Sequence, residues 1–203
     1  MTLRMVAPRR AVLPLRVHAA ILNLDIRGFT RIARDLPPDT VTRLLAEYQA
    51  VVVPVLQSHG GAIDKFLGDG VMATFGAALP SDTYAADALR ALEGALSAAN
   101  GWARQAVDGT ALAINGAVAT GRVVFGAVGD ENRLEYTVIG DAVNLSAKLE
   151  KHNKALASTG LATAAAYELA LAQGYAPAAP VHSVAAARVE GVVQPIDLAV
   201  VAR

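Results

Sequence analysis

Asp25 closes an apolar run, VHAAILNLD at 17–25, and Asp69 stands between Gly68 and Gly70 where two short apolar segments, 62–67 and 71–75, meet. Carboxylates placed rigidly in this way can share divalent cations, because hard Mg²⁺ or Mn²⁺ prefers oxygen ligands and completes its shell with phosphate. Two such ions can activate a hydroxyl and neutralise a leaving phosphate. Taken alone, two aspartates are usually solvated turn or cap residues, so the surrounding residues must decide. After Asp25 the stretch Ile26-Arg27-Gly28-Phe29-Thr30 runs into a helix, whose first N–H groups can cradle triphosphate oxygens. Asn144 and Lys148 lie four apart in a helical stretch, hence on one face and within reach of one ligand.

The elements that must position these residues follow from periodicity. Residues 17–25 read as a buried strand on which Asn23 and Asp25 share a side. Pro37, Pro38 and Asp39 open a helix with Asp39 as the expected N-cap; Val41, Leu44, Leu45, Tyr48 and Val52 recur at helical spacing until Gly60-Gly61. Segments 62–67 and 71–75 form a hairpin, with the glycines around Asp69 supplying positive φ at its tip. Ser81 and Asp82 are expected to cap a second helix, striped by Leu89, Leu92, Leu96, Ala99 and Ala103 and ending before Gly109. Strands come next at 110–119 and 122–128, split by Thr120-Gly121, and at 134–138. Gly140-Asp141 then leads into the helix of Asn144 and Lys148. The tail holds a short helix near 163–173 and strands at 181–189 and 193–201, with Pro195 at an edge or turn. This mixed order with several hairpins predicts an α+β fold, a mostly antiparallel sheet covered by helices on one face, rather than a doubly wound one.

Composition narrows the chemistry. A chain of 203 residues suits one domain with one core. Eighteen Lys+Arg against 18 Asp+Glu argue against a surface built for nucleic acid or anionic lipid, and a 5% aromatic share leaves little for base-stacking platforms. Without cysteine there is no thiolate metal site, disulfide or cysteine nucleophile. The longest apolar runs, such as VVVPVL at 51–56, are too short to span a bilayer. Arg4, Arg9, Arg10 and Arg16 make the first sixteen residues a basic arm, in which Pro8 and Pro14 interrupt any targeting helix.

Three segments, LDIRGFT at 24–30, GGAIDKFLGDGVMATFG at 60–76 and TGRVVFGAVGDENRLEYTVIGDAVNLSAKLE at 120–150, together resemble the class III nucleotide cyclases, the adenylate and guanylate cyclase catalytic domains. The likeness covers 17–203, leaving 1–16 as the arm. It implies a ferredoxin-like α+β core that pairs head to tail as a homodimer, with active sites at the interface. It also implies that Asp25, Asp69 and the Ile26 carbonyl hold two Mg²⁺ or Mn²⁺ ions, and that Gly28, Phe29 and Thr30 offer N–H groups to the triphosphate. Lys65 and Thr137 fall where the family reads the purine; lysine with a hydroxyl that can accept from the adenine amino group suits ATP. Asn144 falls where the family orients the ribose, and Arg122 where it binds phosphate. The implied reaction converts ATP to 3′,5′-cyclic AMP and pyrophosphate, and the expected location is the cytoplasm.

Two positions depart from the family pattern. Lys148 replaces an arginine that stabilises charge on the α-phosphate; lysine keeps the charge and loses the planar fork. Glu190, in VEGVVQP, replaces a lysine that contacts the β- and γ-phosphates. These substitutions keep a second expectation open, a cyclase-homology module that binds nucleotide or only dimerises. A diguanylate cyclase would share a similar core, but no GGDEF-like string occurs. GDGVMA at 68–73 matches a dinucleotide fingerprint, yet VMATF at 71–75 reads as strand rather than as the opening of a helix. There is no Walker A string, and His18, His59, His152 and His182 are scattered without ligand spacing.

Overall fold

A computed structural model describes residues 14–103, 112–130 and 134–203. Its centre is the antiparallel pair of β1 (Leu15–Ile26) and β4 (Ile114–Gly129), in register from Leu15 opposite Phe125 to Ile26 opposite Ile114. The hairpin of β2 (Ala62–Leu67) and β3 (Gly70–Phe75) adds to the other edge of β1, with Leu24 opposite Val71. That register puts the hairpin tip, and Asp69 with it, beside the carboxyl end of β1. On the far side, β6 (Gly160–Thr163) runs parallel to β4, followed by β8 (Ile196–Ala202) and β7 (His182–Ala187), while β5 (Leu134–Ile139) pairs with the outer half of β4. The sheet order is β2-β3-β1-β4-β6-β8-β7 with β5 off this path. One parallel pairing among otherwise antiparallel ones is the expected α+β sheet.

Helices cover both faces, not one. Ala20, Leu22, Leu24 and Ile26 of β1 face α2 (Pro38–Ser58) and α3 (Tyr84–Ala103), whose Leu44, Tyr48, Val52, Leu56, Leu89, Leu92 and Leu96 fill the main core. The alternate residues Ala19 and Ile21 pack with Ala142 and Val143 of α4 (Asp141–His152) on the opposite face. The remaining helices are α1 (Phe29–Arg34) and α5 (Ala164–Ala172). Period-two alternation therefore turns Asn23 and Asp25 toward α4. Asn23 Nδ2 donates to Ser146 Oγ at 2.7 Å, a buried tie between β1 and α4.

Several expected boundaries move, each for a local reason. β4 runs straight through Thr120-Gly121, because the long β1 templates it without a shift, Ala20 facing Thr120 and Ala19 facing Gly121. Gly121 serves close packing instead of a turn: a Cβ there would meet the Ala142 methyl at 3.2 Å. At the hairpin tip Gly68 has φ +68°, but Gly70 begins β3, where a Cβ would lie 3.2 Å from the Leu24 carbonyl. Pro37, not Asp39, is the N-cap of α2, and Asp39 sits in its first turn, where the helix dipole favours a carboxylate. α3 starts at Tyr84, later than the expected cap; the Ser81 and Thr83 hydroxyls instead donate to Asp87 Oδ2 at 3.0 and 2.7 Å. β1 starts two residues before the expected Val17. The expected end of the second helix near Gly109 and the strand start at 110–111 lie outside the described residues, as does most of the basic arm. The four-residue β6 was not expected; it is too short to show periodicity.

Candidate active site

Two chemically distinct groups of side chains emerge from this framework. At the end of β1 the Asp25 carboxyl is within hydrogen-bonding contact of Asp69. Burial first, then Asp69, with Glu150 adding like charge, pushes Asp25 up to about 8, against which the Ile26 N–H donating to Asp25 Oδ1 at 2.9 Å works. Glu150, on α4, is buried; desolvation raises it, while Asn115 Nδ2, donating to its Oε1 at 2.7 Å, opposes the shift. Tyr48 is buried with its hydroxyl unpaired, and burial plus the field of these three carboxylates keeps it neutral. A shallow cavity of about 250 Å³ opens here between β1 and α4, lined by Asn23, Asp25, Gly70, Glu150 and Lys151 among others.

The donor set at this end of the sheet suits a hard divalent cation. Two carboxyls that share a contact carry mutual repulsion once both ionise, and a divalent ion between them removes it. The described residues contain no cluster of three or more His, Cys, Asp or Glu arranged around one ion, so phosphate, water or backbone oxygens would complete the shell. Behind Asp25 the loop is held firmly. Gly28, at φ +71° and in left-handed backbone, starts α1, and Phe29 turns its ring into the main core. Phe29 thus has only its backbone N–H to offer a ligand, whereas Thr30 is exposed. Arg27 Nε donates to Asn115 Oδ1 and its Nη2 to the Ser158 carbonyl, both at 2.6 Å, pinning the loop to β4 and to the turn before β6.

The second group lies where β2 faces β5. Lys65 Nζ donates to Thr137 Oγ at 2.9 Å, so the two residues expected to read a purine do meet. A third member was not foreseen: Thr137 Oγ donates to Asp64 Oδ1 at 2.8 Å, the Val138 N–H donates to Asp64 Oδ2 at 3.2 Å, and Lys65 Nζ is 3.2 Å from Asp64 Oδ1. The signal for Asp64 was its place beside Lys65. A regular strand, however, would send the two to opposite faces.

The remaining candidates sit apart from these groups. Arg122 is exposed and lines a depression of about 210 Å³ with Arg16, Ile139, Gly140 and Asp141. Asn144 is exposed on α4. Lys148, one turn on, donates to the Gly191 carbonyl. It shares an open depression of about 830 Å³ with Lys151, His152, Lys154 and Glu190. Glu190, which is exposed, thus lines the same depression as three lysines. Glu150, Asn115 and Arg27 also went unforeseen, because their roles depend on β1, β4 and α4 being layered.

Comparison with known proteins identifies the family and the fold. The adenylate and guanylate cyclase catalytic domain family matches residues 16–164, and the chain belongs to that family. Among solved structures, the adenylyl cyclase CyaB from P. aeruginosa superimposes with TM-score 0.77 at 26% identity, covering 94% of this chain and 96% of that one. The guanylyl cyclase Cya2 does so with TM-score 0.77 at 28% identity, covering 92% of each. In sequence, "Adenylate cyclase 1" of Rhizobium meliloti is 35% identical over 153 residues, 74% of this chain and 23% of that protein. The terminal-differentiation specific adenylate cyclase of Dictyostelium discoideum is 35% identical over 134 residues, 63% of this chain. The chain spans 6% of that protein's length. The structural neighbours thus include both adenylyl and guanylyl cyclases on the same α+β fold.

Proposed function

We propose that residues 17–203 form the catalytic domain of an adenylate cyclase, converting ATP to 3′,5′-cyclic AMP and pyrophosphate at the interface of a homodimer, with 1–16 a basic arm. The observation that supports this reading is the Lys65–Thr137 hydrogen bond, which joins the two residues expected to read a purine. Asp25 and Asp69, with the Ile26 carbonyl, would hold two divalent cations, Mg²⁺ or Mn²⁺, which supply Lewis acidity toward the ribose 3′-hydroxyl and the triphosphate. The backbone N–H groups of Gly28, Phe29 and Thr30 and the Arg122 guanidinium would bind the phosphate oxygens. Lys65 and Thr137 would hold the adenine edge and Asn144 the ribose, setting the 3′-hydroxyl in line with the α-phosphorus. Lys148 would take up charge developing on the α-phosphate.

Support for the homodimer comes from the surface. Phe66, Leu67, Val128, Leu134, Tyr136 and Ile139, on β2, β4 and β5, are each 47 to 59% exposed, an apolar set of the kind that marks protein interfaces. In the proposed pair, Asp25, Asp69 and Arg122 come from one copy, and Lys65, Thr137, Asn144 and Lys148 from the other. No helix among the described residues is long and apolar enough to cross a membrane.

One observation favours a second reading, a nucleotide-binding or dimerising module without turnover: the Lys148 ammonium gives one of its three protons to the Gly191 carbonyl, beside Glu190 in the sequence and in the same depression. Product formation from ATP and from GTP with saturating Mn²⁺, against Asp25→Ala as the blank, separates the two. Cyclic AMP above the blank, with ATP preferred to GTP, is the expected result. No product above the blank would leave the module reading in its place.

A further inference from the structure

Asp64 owes its position to an irregularity in the sheet. The β2–β3 register passes from Ile63 opposite Ala73 to Lys65 opposite Met72, leaving Asp64 as an extra, bulged residue. A bulge re-aims side chains, and here it lets two consecutive residues reach the same hydroxyl. The Asp64 side chain is 3% exposed. One of its oxygens takes the Val138 N–H, and the other takes the Thr137 hydroxyl proton.

The hydrogen-bond inventory of the trio then closes. A hydroxyl has one proton and two lone pairs. Thr137 gives its proton to Asp64 and receives from Lys65, so what it has left for a ligand is a single acceptor site. The Lys65 ammonium has three protons; one goes to Thr137 and one faces Asp64, leaving a single donor. A purine carrying a 6-amino group and an unprotonated N1 offers the complement, one donor and one acceptor. Guanine seated the same way, with position 6 at Thr137 and N1 at Lys65, offers the reverse at both atoms, a 6-oxo acceptor and an N1–H donor, and leaves both contacts opposed.

We propose that Asp64 is a positioning residue for base selection: by holding the Thr137 proton it makes Thr137 an acceptor for a purine 6-amino group, and so favours adenine over guanine nucleotides. The proposal rests on the adenylate cyclase reading of this site and supplies the cause of its preference. It has a specific corollary. In Asp64→Asn the carbonyl oxygen must keep the Val138 N–H, so the amide NH₂ faces Thr137 and donates to it. The threonine proton then turns outward, and the acceptor becomes a donor.

The test is binding of 3′-deoxy-ATP and 3′-deoxy-GTP, which lack the attacking hydroxyl, measured by calorimetry on the full chain with Mg²⁺. The wild type should prefer the adenine analogue, and Asp64→Asn should lower the ratio of the two affinities at least about tenfold, chiefly by weakening the adenine analogue. Thr137→Val should lower it too, Thr137→Ser should preserve it, and adding Asp64→Asn to Thr137→Val should change the ratio no further. Should Asp64→Asn fail to fold, Asp64→Ala, which frees the hydroxyl to rotate, reads the same ratio. Equal weakening of both analogues, or an unchanged ratio, overturns the proposal. Cyclic AMP formation by the wild type in the same preparations would still stand, so failure here is distinct from failure of the enzyme reading.

Discussion

Two carboxylate sites in one sheet are built in opposite ways. Asp64 meets a cation, a hydroxyl and a backbone N–H, and each of its oxygens has a partner. Asp25 meets another carboxyl, with Glu150 adding like charge, and is pushed up to about 8. A satisfied buried carboxylate makes a rigid template, whereas acids pressed together await a cation. On the proposed reading, the contrast implies that the Asp64–Thr137–Lys65 group is preorganised in the free chain, while the Asp25–Asp69 end would be completed by its ligands. It can be broken or sharpened at four places.

The largest effect should come from the unsatisfied pair. Asp69→Ala, like Asp25→Ala, should lower cyclic AMP formation by about 10³-fold or more, since it removes a preorganised element at the reacting phosphate; full activity in either variant would show the pair to be a surface feature. Lys65→Ala should reduce kcat/KM for ATP by about 10²-fold, by deleting a charged donor that no water replaces as well. A KM rise with unchanged kcat would mean that Lys65 binds ground and transition states alike. Lys148→Arg should raise kcat by up to about tenfold, because the guanidinium can hold the Gly191 carbonyl and still present a fork to phosphate. No gain would assign Lys148 to holding the 190–191 turn.

The smallest effect is on stability and comes from the sign of the Asp25 shift. The folded chain binds this proton more tightly than the unfolded chain, whose carboxyl titrates near 3.8, so the contribution is full below that value and is lost as pH rises toward about 8. The metal-free protein should therefore lose a few degrees of Tm across that window through this residue, a slope that Asp25→Asn flattens. Differential scanning calorimetry in chelator checks it; identical slopes in the two proteins would show that neither burial nor Asp69 raises the Asp25 carboxyl.

Much of this is legible in the sequence because the chemistry is local. Asp25 ends an apolar strand and Asp69 is bracketed by glycines, so type and spacing make them candidates, and the family motif around them, which also singles out Lys65, decides between ligand and solvated turn residue. Asp64 escapes such a reading because strand alternation sends it away from Lys65; only the bulge at Ile63/Lys65 reverses that, and a bulge leaves no mark in hydropathy. Glu150 and Asn115 escape it because their meeting depends on α4 lying on the face opposite α2 and α3, which periodicity cannot assign. The break expected at Thr120-Gly121 fails for a related reason: the glycine makes room for Ala142 of α4, and β1 carries the strand through.

Mixing crippled variants tests the central claim most directly. Asp25→Ala and Lys65→Ala, each with at most about a hundredth of wild-type activity alone, break opposite halves of the proposed interfacial site. Co-refolded in equal amounts, they should regain about a quarter of wild-type cyclic AMP formation, because half of randomly assorted dimers are mixed and each mixed dimer keeps one intact site. A mixture no more active than its separate components would contradict the account and place both pairs in a site within a single copy.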